Sequence, residues 1–265
     1  MIKLYNQNIW GNCGRTQTIA NRNELLARLI AENAPDFIHL QECNPGTSRA
    51  PEVDIARMIS DRYTEAAPGH AHENFTPVFY DYAKYECIES GFMPYDGLND
   101  GGSKSVTWGV FERRSDGFKI CMASTHFWYK ATGEVDEEQR RENARAAHRV
   151  LDGIAKKYNV PVIFSGDLNS GVDSAQGTGG YDELIKLGFS DVRYTAADST
   201  DVHTIHALPV RGDDGMYTCG AQPHRTIDYV LTYGAALDVR KFRVLTSADA
   251  LASSDHCPMI AEFDV

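Results

Sequence analysis

The sequence predicts a mixed α/β fold, and three segments carry that prediction. Residues 2–9 alternate apolar and polar side chains with the period of a half-buried strand. Residues 136–158 show the clearest helical pattern of the chain, with alanine, leucine and isoleucine side chains along one face. The apolar run at 160–164 follows directly and is typical of a strand covered on both faces. Strands and helices therefore alternate along the chain.

The other elements of the first half follow from the same patterns. A helix is predicted over residues 21–33, where leucine and isoleucine side chains form an apolar stripe, and a strand over residues 37–40. A second helix is expected near residues 53–63. From residue 75 to residue 126 the pattern indicates strands and turns, with an exposed loop at 97–102.

The second half contains fewer clear elements. Glycines mark a loop over residues 171–180, a short helix is expected at 183–187, and strands are predicted at 226–232 and 257–263. The sequence contains no repeat, low-complexity tract or linker. We therefore expect one α/β domain that spans residues 1–265.

Composition limits the class of protein. Hydrophobic residues make up 42% of the chain and charged residues 24%, as in ordinary globular proteins. No apolar run approaches the roughly 20 residues of a membrane-spanning helix. The N-terminus carries no secretory leader pattern, which favours a cytoplasmic location; an exported protein whose leader is absent from this chain is the alternative. The sequence gives no indication of the oligomeric state.

The net charge bears on the partner. The chain has 26 Lys and Arg residues against 37 Asp and Glu, a formal charge of −11. This field repels a phosphate polymer at long range unless one face concentrates the basic residues. Carboxylates are nevertheless the ligands that a hard cation such as Mg²⁺ prefers. The charge therefore opposes tight non-specific DNA binding and is compatible with phosphate chemistry.

The six cysteines are scattered, without a C-x-x-C pair. This spacing argues against a structural zinc site and against a thioredoxin-like motif. A zinc hydrolase that uses scattered His and Cys residues is an alternative, and metal analysis of the purified protein would distinguish it.

Polar and acidic residues stand at the ends of several predicted strands. They are Asn8, Glu42, His126, Asp167, Asn169, Asp228, Asp255 and His256. Functional groups collect at strand ends in layered α/β folds, because the loops there are held by a rigid scaffold. Each residue alone is weak evidence, since a Glu after a strand is usually solvated and Asp-x-Asn is a common turn.

Taken together, the local contexts of these residues resemble the endonuclease/exonuclease/phosphatase superfamily, in the order that the family has. The matching stretches are Asn8-Ile9, Leu40-Gln41-Glu42, Ser124-Thr125-His126, Gly166-Asp167-Leu168-Asn169, Arg225-Thr226-Ile227-Asp228-Tyr229 and Ser254-Asp255-His256-Cys257-Pro258. They span nearly the whole chain. The resemblance implies a four-layer sandwich, in which two mixed β-sheets pack face to face with helices on the outside.

The resemblance also implies a metal site. Glu42 would be the leading ligand, and Asn8 and Asp255 would complete an oxygen-rich site through direct or water-mediated contacts. Such a set suits Mg²⁺ or Mn²⁺. Abasic-site endonucleases carry an acidic residue two positions after the first Asn, where this chain has Trp10. We therefore expect one dominant metal ion.

The remaining residues of the set would act on a phosphate. Phosphoryl oxygens repel a nucleophile, so catalysis depends on positioning and on charge neutralisation. Asp167 would accept a proton from the attacking water, and Asn169 would hold that water or a phosphate oxygen. His126 and His256 would contact the non-bridging oxygens, and Asp228 would orient His256 and raise its pKa. A strand-end histidine that is merely hydrogen-bonded is the alternative for His126.

The predicted function is that of a metal-dependent phosphoesterase acting on a compact phosphodiester or phosphomonoester. A nuclease acting on DNA or RNA is the first alternative, and a non-catalytic binding protein on the same scaffold is the second. Trp10 and Trp108 are candidates for the wall of the substrate pocket, with core packing as the alternative. Arg140 is a candidate phosphate contact, and Lys104 is a weaker one of the same kind.

Overall fold

The computed structural model describes residues 1–11, 16–171, 177–200, 202–206, 210–211, 217–218 and 223–265. The strands are β1 (Ile2–Asn8), β2 (Phe37–Gln41), β3 (Tyr63–Glu65), β4 (Val78–Asp81), β5 (Tyr85–Pro94), β6 (Ser105–Arg113), β7 (Lys119–His126), β8 (Val162–Asp167), β9 (Ser190–Asp191), β10 (Asp198–Ser199), β11 (Val210–Arg211), β12 (Tyr217–Thr218), β13 (Asp228–Tyr233), β14 (Asp238–Val244) and β15 (Met259–Asp264). The helices are α1 (Thr16–Asn33), α2 (Ile55–Met58), α3 (Glu134–Tyr158), α4 (Gly179–Lys186), α5 (Val192–Thr195) and α6 (Ala248–Ser253), with a short 3-10 helix at Pro68–His70.

Most of the strands belong to two mixed sheets. The first sheet has seven strands in the order β10-β14-β15-β1-β2-β4-β3, and the second has six in the order β5-β6-β7-β8-β13-β9. Both combine parallel and antiparallel pairs: β1 with β2 and β10 with β14 are parallel in the first sheet, and β7 with β8 is parallel in the second. Strands β11 and β12 form a separate antiparallel pair.

The two sheets pack face to face around a shared apolar core. Leu4 and Phe37 of the first sheet and Phe111, Met122 and Ile163 of the second belong to one cluster, and all five are fully buried. Burying a side chain of this size contributes about 1.5–3 kcal/mol relative to its exposed state. The core between the sheets is thus a main source of the fold's stability.

Helices cover the two outer faces. Ala144, Ala147 and Leu151 of α3 pack in one cluster with Phe164 and Leu231 of the second sheet. A third cluster joins α1 and α2 to the outer face of the first sheet. The order helix, sheet, sheet, helix confirms the predicted four-layer sandwich. No helix in the described part of the chain is long and apolar enough to cross a membrane.

The predicted and the observed elements differ in several places, among them the second helix and strand β14. The helix expected near residues 53–63 contains only Ile55–Met58, because Tyr63 pairs with Asp81 at the sheet edge instead. Pairing within the sheet there overrides the local helical pattern. Strand β14 was missing from the prediction, although its side chains alternate between buried and exposed. Part of the predicted loop 171–180 lies outside the described residues.

Candidate active site

The site residues stand where the central strands end. Asn8 is the last residue of β1, and Glu42 directly follows β2, which pairs with β1 in parallel. In the second sheet, His126 pairs with Asp167 across β7 and β8, and Asp167 pairs with Asp228 across β8 and β13. Both sheets therefore present these candidate side chains at the same edge of the sandwich.

The backbone is strained at this edge. Trp10, Glu42 and Asn169 have positive φ angles of 50°, 54° and 46°. Such conformations cost on the order of 1–3 kcal/mol each for residues other than glycine, and they cluster at functional sites. Gly11 permits the close approach of two of these segments, because a Cβ atom there would lie 1.9 Å from the carbonyl oxygen of Glu42. The surrounding packing must therefore hold these side chains in place.

A cavity of about 600 Å³ opens above the strand ends. Eight residues named from the sequence line it: Trp10, Glu42, Lys104, His126, Asp167, Asn169, Asp255 and His256. The structure thus brings together residues that are up to 246 positions apart in the chain. Asn8 and Asp228 lie directly behind this wall and hydrogen-bond to it.

Asn8 braces two carboxylates. Its amino group donates to Glu42 Oε1 at 3.2 Å and to Asp167 Oδ2 at 2.9 Å. Its side-chain oxygen accepts a hydrogen bond from the backbone N–H of Trp10 at 3.0 Å, which fixes the orientation of the amide because a backbone N–H can only donate. Asn8 therefore turns its amino group, and not its oxygen, towards the carboxylates. The role of Asn8 as a metal ligand, direct or through water, stays a prediction.

Asp167 has the environment of a proton acceptor at neutral pH. Burial and the negative charge of Asp228 raise the pKa of this carboxyl, His256 and the hydrogen bonds lower it, and the result is a pKa of about 7. Asp167 Oδ1 accepts from the backbone N–H of Asn169 at 2.8 Å, and Oδ2 lies 3.4 Å from His126 Nε2. Its second oxygen therefore points into the cluster of functional groups.

His256 is held as a cation. Its Nδ1 lies 2.9 and 3.0 Å from the two carboxylate oxygens of Asp228. Burial alone would lower the pKa of His256, but the charges of Asp228, Asp255 and Asp167 outweigh it and raise the pKa well above its usual value. Thr204 donates to Asp228 Oδ2 at 2.7 Å and so fixes the carboxylate in turn. The other ring nitrogen, Nε2, therefore carries a proton and faces the cavity.

His126 is held in its neutral form, in contrast to His256. Burial lowers its pKa well below the usual value, and the positive charges of Lys104 and His256 lower it further. The Asn169 amino group lies 3.0 Å from Nε2 and donates to it, which assigns the proton of the neutral ring to Nδ1. The Lys104 ammonium lies 3.1 Å from Nε2 and is 4% exposed. The two histidines of the site thus carry different charges.

A hard cation fits the donor set of this site. Ligand atoms of Glu42, His126 and Asp167 all lie within 4.8 Å of one another, and a second such group contains Asp167, Asp228 and His256. Glu42, Asp167 and Asp228 carry carboxylates. A bound cation would offset the repulsion between their negative charges. Asp255 is in neither group, although it lines the cavity. Asp167 and His126 adjoin Glu42, and the set of Glu42, Asn8 and Asp255 stays a prediction.

Two substrate candidates lie elsewhere. Trp108 packs its ring against Gly91 of the neighbouring strand, where an added Cβ would come within 2.5 Å of the ring. Arg140 is fully buried and donates to the carbonyl oxygens of Trp128 and Lys130 at 3.2 and 2.6 Å. Neither side chain lines the cavity, so the prediction that they contact substrate is corrected.

A polar network connects the two sheets behind the site. His39 Nδ1 lies 2.7 Å from Ser165 Oγ, and Gln41 donates to Ser124 Oγ at 3.0 Å. Asn6 accepts from Gln41 at 3.0 Å and from Ser165 at 2.8 Å. Burial lowers the pKa of His39 to about 3, so this ring is neutral. These hydrogen bonds join β1 and β2 to β7 and β8 directly beneath the catalytic edge.

Several cavity residues were not named as site residues from the sequence. Phe75, Tyr129, Ile205 and Ile227 add apolar or aromatic surface, and Arg225 adds a cation. Arg225 does lie in one of the stretches that carried the resemblance, three residues before Asp228. The others offered no local signal, because only the tertiary fold brings them to the cavity.

The comparisons with known proteins identify the family of this chain. The family model described as the endonuclease/exonuclease/phosphatase family matches residues 6–256. The chain belongs to this family. Members of the endonuclease/exonuclease/phosphatase family are hydrolases of phosphate ester bonds, so the chain is a hydrolase that acts on ester bonds. The family is generally dependent on divalent metal ions.

Solved structures of the family share the fold at low sequence identity. A mannosyl-6-phosphatase of Bacteroides thetaiotaomicron superimposes with a TM-score of 0.75 at 18% identity, over 100% of both chains. The catalytic domain of human Nocturnin, solved with a bound sulfate anion, gives 0.70 at 18% identity, over 99% of this chain and 93% of that one. A truncated TDP2 of Caenorhabditis elegans gives 0.68 at 18% identity, over 100% and 97%. The comparison with curated proteins gives no match.

Proposed function

We propose that this hydrolase is a metal-dependent phosphoesterase that cleaves a compact phosphodiester or phosphomonoester through in-line attack of an activated water. The observation that carries the proposal is the buried Asp167, whose pKa is raised to about 7 beside Glu42, His126 and a cationic His256. A carboxylate with this pKa accepts a proton efficiently near neutrality. Because water is the nucleophile, no covalent enzyme intermediate is required.

Glu42 would be the leading ligand of the metal ion, and the carboxylates around it favour Mg²⁺ or Mn²⁺. A bound cation of this kind supplies neutralisation of the phosphate charge. Asn8 keeps the carboxylates of Glu42 and Asp167 at a fixed separation through its two hydrogen bonds. The metal-binding residues therefore do not need to reorganise when substrate enters.

The other side chains act on the phosphate oxygens. The protonated Nε2 of His256 donates to a non-bridging oxygen, where negative charge increases in the transition state. Asn169 orients the attacking water or a phosphate oxygen with its amide. Asp228 keeps the His256 ring in place and cationic. His126 is neutral, and it contributes a hydrogen bond without adding charge.

Removing the Glu42 carboxylate should weaken metal binding. We expect chelator to abolish activity and Mg²⁺ or Mn²⁺ to restore it. Glu42→Gln should raise the metal concentration needed for half-maximal activity by about tenfold or more, since neighbours of metal ligands alone contribute 10–100-fold. The measurement is a metal titration of activity, with direct calorimetric titration of Mg²⁺ as a second readout. Glu112→Gln, on an exposed strand end, is the matched control. Full activity in excess chelator would contradict the proposal.

Substrate size separates the main proposal from a nuclease. We expect a small phosphoester to be hydrolysed faster than duplex DNA, because the chain carries a charge of −11 and a duplex-binding face usually pairs several phosphates with Lys or Arg. The assay follows hydrolysis of a small diester or monoester at low salt while plasmid DNA is added. Efficient plasmid nicking, or inhibition by plasmid that salt relieves, would favour the nuclease. A protein that turns over none of a panel of phosphodiesters, phosphomonoesters, lipids and oligonucleotides would be a binding protein.

A further inference from the structure

Arg225 is a cation in the cavity, and no carboxylate among the described residues pairs with it. It lines the wall together with Ile205 and Ile227, and its Nε atom is buried without a hydrogen-bond acceptor among the described residues. Nor does its side chain form an ion pair with any residue of the described ranges. Several other arginines are paired with carboxylates, as Arg49 is with Glu65 at 2.9 Å and Arg141 with Glu134 at 2.6 Å. A buried donor without a partner is costly, at about 1–3 kcal/mol.

The backbone holds Arg225 at a defined place relative to the reacting groups. Ile205 bridges to Arg225 on one side and to His256 on the other, in both cases antiparallel. Two inter-strand spacings separate the backbone of Arg225 from that of His256, about 10 Å. The backbone N–H groups of Thr204 and Ile205 both donate to the carbonyl oxygen of Arg225 at 3.0 Å. The residue is thus anchored firmly, beside the catalytic cluster and not within it.

The groups proposed to contact the reacting phosphate form a cluster of their own. His256, His126 and Lys104 lie within hydrogen-bonding or ion-pairing distance of one another or of Asp167, so they form one connected cluster. Arg225 takes no part in that cluster. A guanidinium matches the planar geometry of carboxylate or phosphate oxygens with two parallel N–H groups. An arginine that lines the same cavity but lies apart from the cluster is therefore suited to a second anionic group.

We propose that Arg225 binds a second anionic group of the substrate, so that the preferred substrate is a phosphoester that also carries another phosphate or a carboxylate. This inference rests on the proposed phosphoesterase function and narrows its substrate class. Arg225 is a specificity-determining residue in this assignment, and it takes no part in bond cleavage. Its contribution should appear in KM more than in kcat, because the second anion is bound equally in the ground state and in the transition state.

The first test compares two substrates. Glucose 6-phosphate and glucose 1,6-bisphosphate are assayed with wild type, Arg225→Met, Arg225→Lys and, as a control for the lost charge, Arg240→Met on the exposed face of β14. We expect Arg225→Met to lower kcat/KM for the bisphosphate by about tenfold or more through KM, as for a lost hydrogen bond to a charged group, and to change the monophosphate by less than about threefold. Arg225→Lys should recover part of the loss. Arg240→Met should behave as wild type.

The second test does not depend on turnover. Binding of butane-1,4-diphosphonate and of butylphosphonate, which the enzyme cannot hydrolyse, is measured by calorimetry with Mg²⁺ present. We expect wild type to bind the diphosphonate more tightly, and Arg225→Met to bind both with similar affinity. If no phosphoester is turned over but this difference is found, the proposed function fails and the anion site stands. Equal losses for both ligands or both substrates, or no loss for either, would overturn the assignment of Arg225.

Discussion

Asp167→Asn is expected to lower kcat by about 10²–10⁴, the range for loss of a general base. The amide keeps the shape of the side chain and its hydrogen bond from the Asn169 backbone, but it cannot accept the proton of the attacking water. The measurement is kcat on the best substrate of the panel with saturating Mg²⁺. An unchanged melting temperature would show that the loss is catalytic and not structural.

The pH profile distinguishes a base from a residue that only positions. In the wild type, Asp167 must be ionised, and its pKa is raised to about 7, so kcat/KM should fall as the pH decreases through this region. A bound cation beside the carboxylate would move this limb to lower pH, because positive charge favours the ionised form. The residual activity of Asp167→Asn should lack the acidic limb. An acidic limb that persists unchanged in the variant would show that another group is the base.

His256→Ala is expected to lower kcat by about 10²–10³, as for the removal of one donor that stabilises charge in a transition state. KM should change less, because the donor strengthens its bond to the phosphate oxygen as negative charge increases. Steady-state kinetics on the same substrate separates the two parameters. A change confined to KM would mean that His256 binds the ground state, contrary to the proposed role.

Asp228→Asn should mimic a weaker form of the His256 change. The ring would stay in place, but it would lose the neighbouring negative charge that raises its pKa. Because His256 must be protonated to act, the alkaline limb of kcat/KM should move to lower pH in Asp228→Asn. If the alkaline limb of Asp228→Asn stays at the wild-type pH, the Asp228–His256 pair is not the group that produces this limb.

The sequence predicted the parts of the fold that depend on local periodicity. Strand β1, helix α3 and strand β8 follow from side-chain patterns within single segments. The strand-end positions of Glu42 and Asp167 were likewise local, because each directly follows or closes an apolar run. The four layers required the family resemblance, since periodicity shows which face of an element is buried but not which element covers it.

Contacts between distant segments could not be predicted in the same way. Thr204 donates a hydrogen bond to Asp228 from a loop 24 residues earlier in the chain. Lys104, directly before β6, contacts His126 at the end of the neighbouring strand β7. Arg140 shows the same limit. Its position near the start of a helix suggested a phosphate contact, but the chain at Trp128 and Lys130 turns its carbonyl oxygens towards it. The partner of a charged side chain is a property of the tertiary fold.

The polar network between the sheets limits which substitutions this enzyme can accept without losing activity. Glu42 extends from one sheet and Asp167 from the other, so their separation is a measure of how the sheets are aligned. Apolar packing is non-directional and permits small slides, whereas the bonds of Gln41 to Ser124 and of His39 to Ser165 have preferred lengths and angles. A displacement of 1 Å can cost about a hundredfold in rate. Substitutions at these buried positions are therefore limited by the need to keep the two sheets aligned. A variant there can remain folded and still lose its catalytic activity.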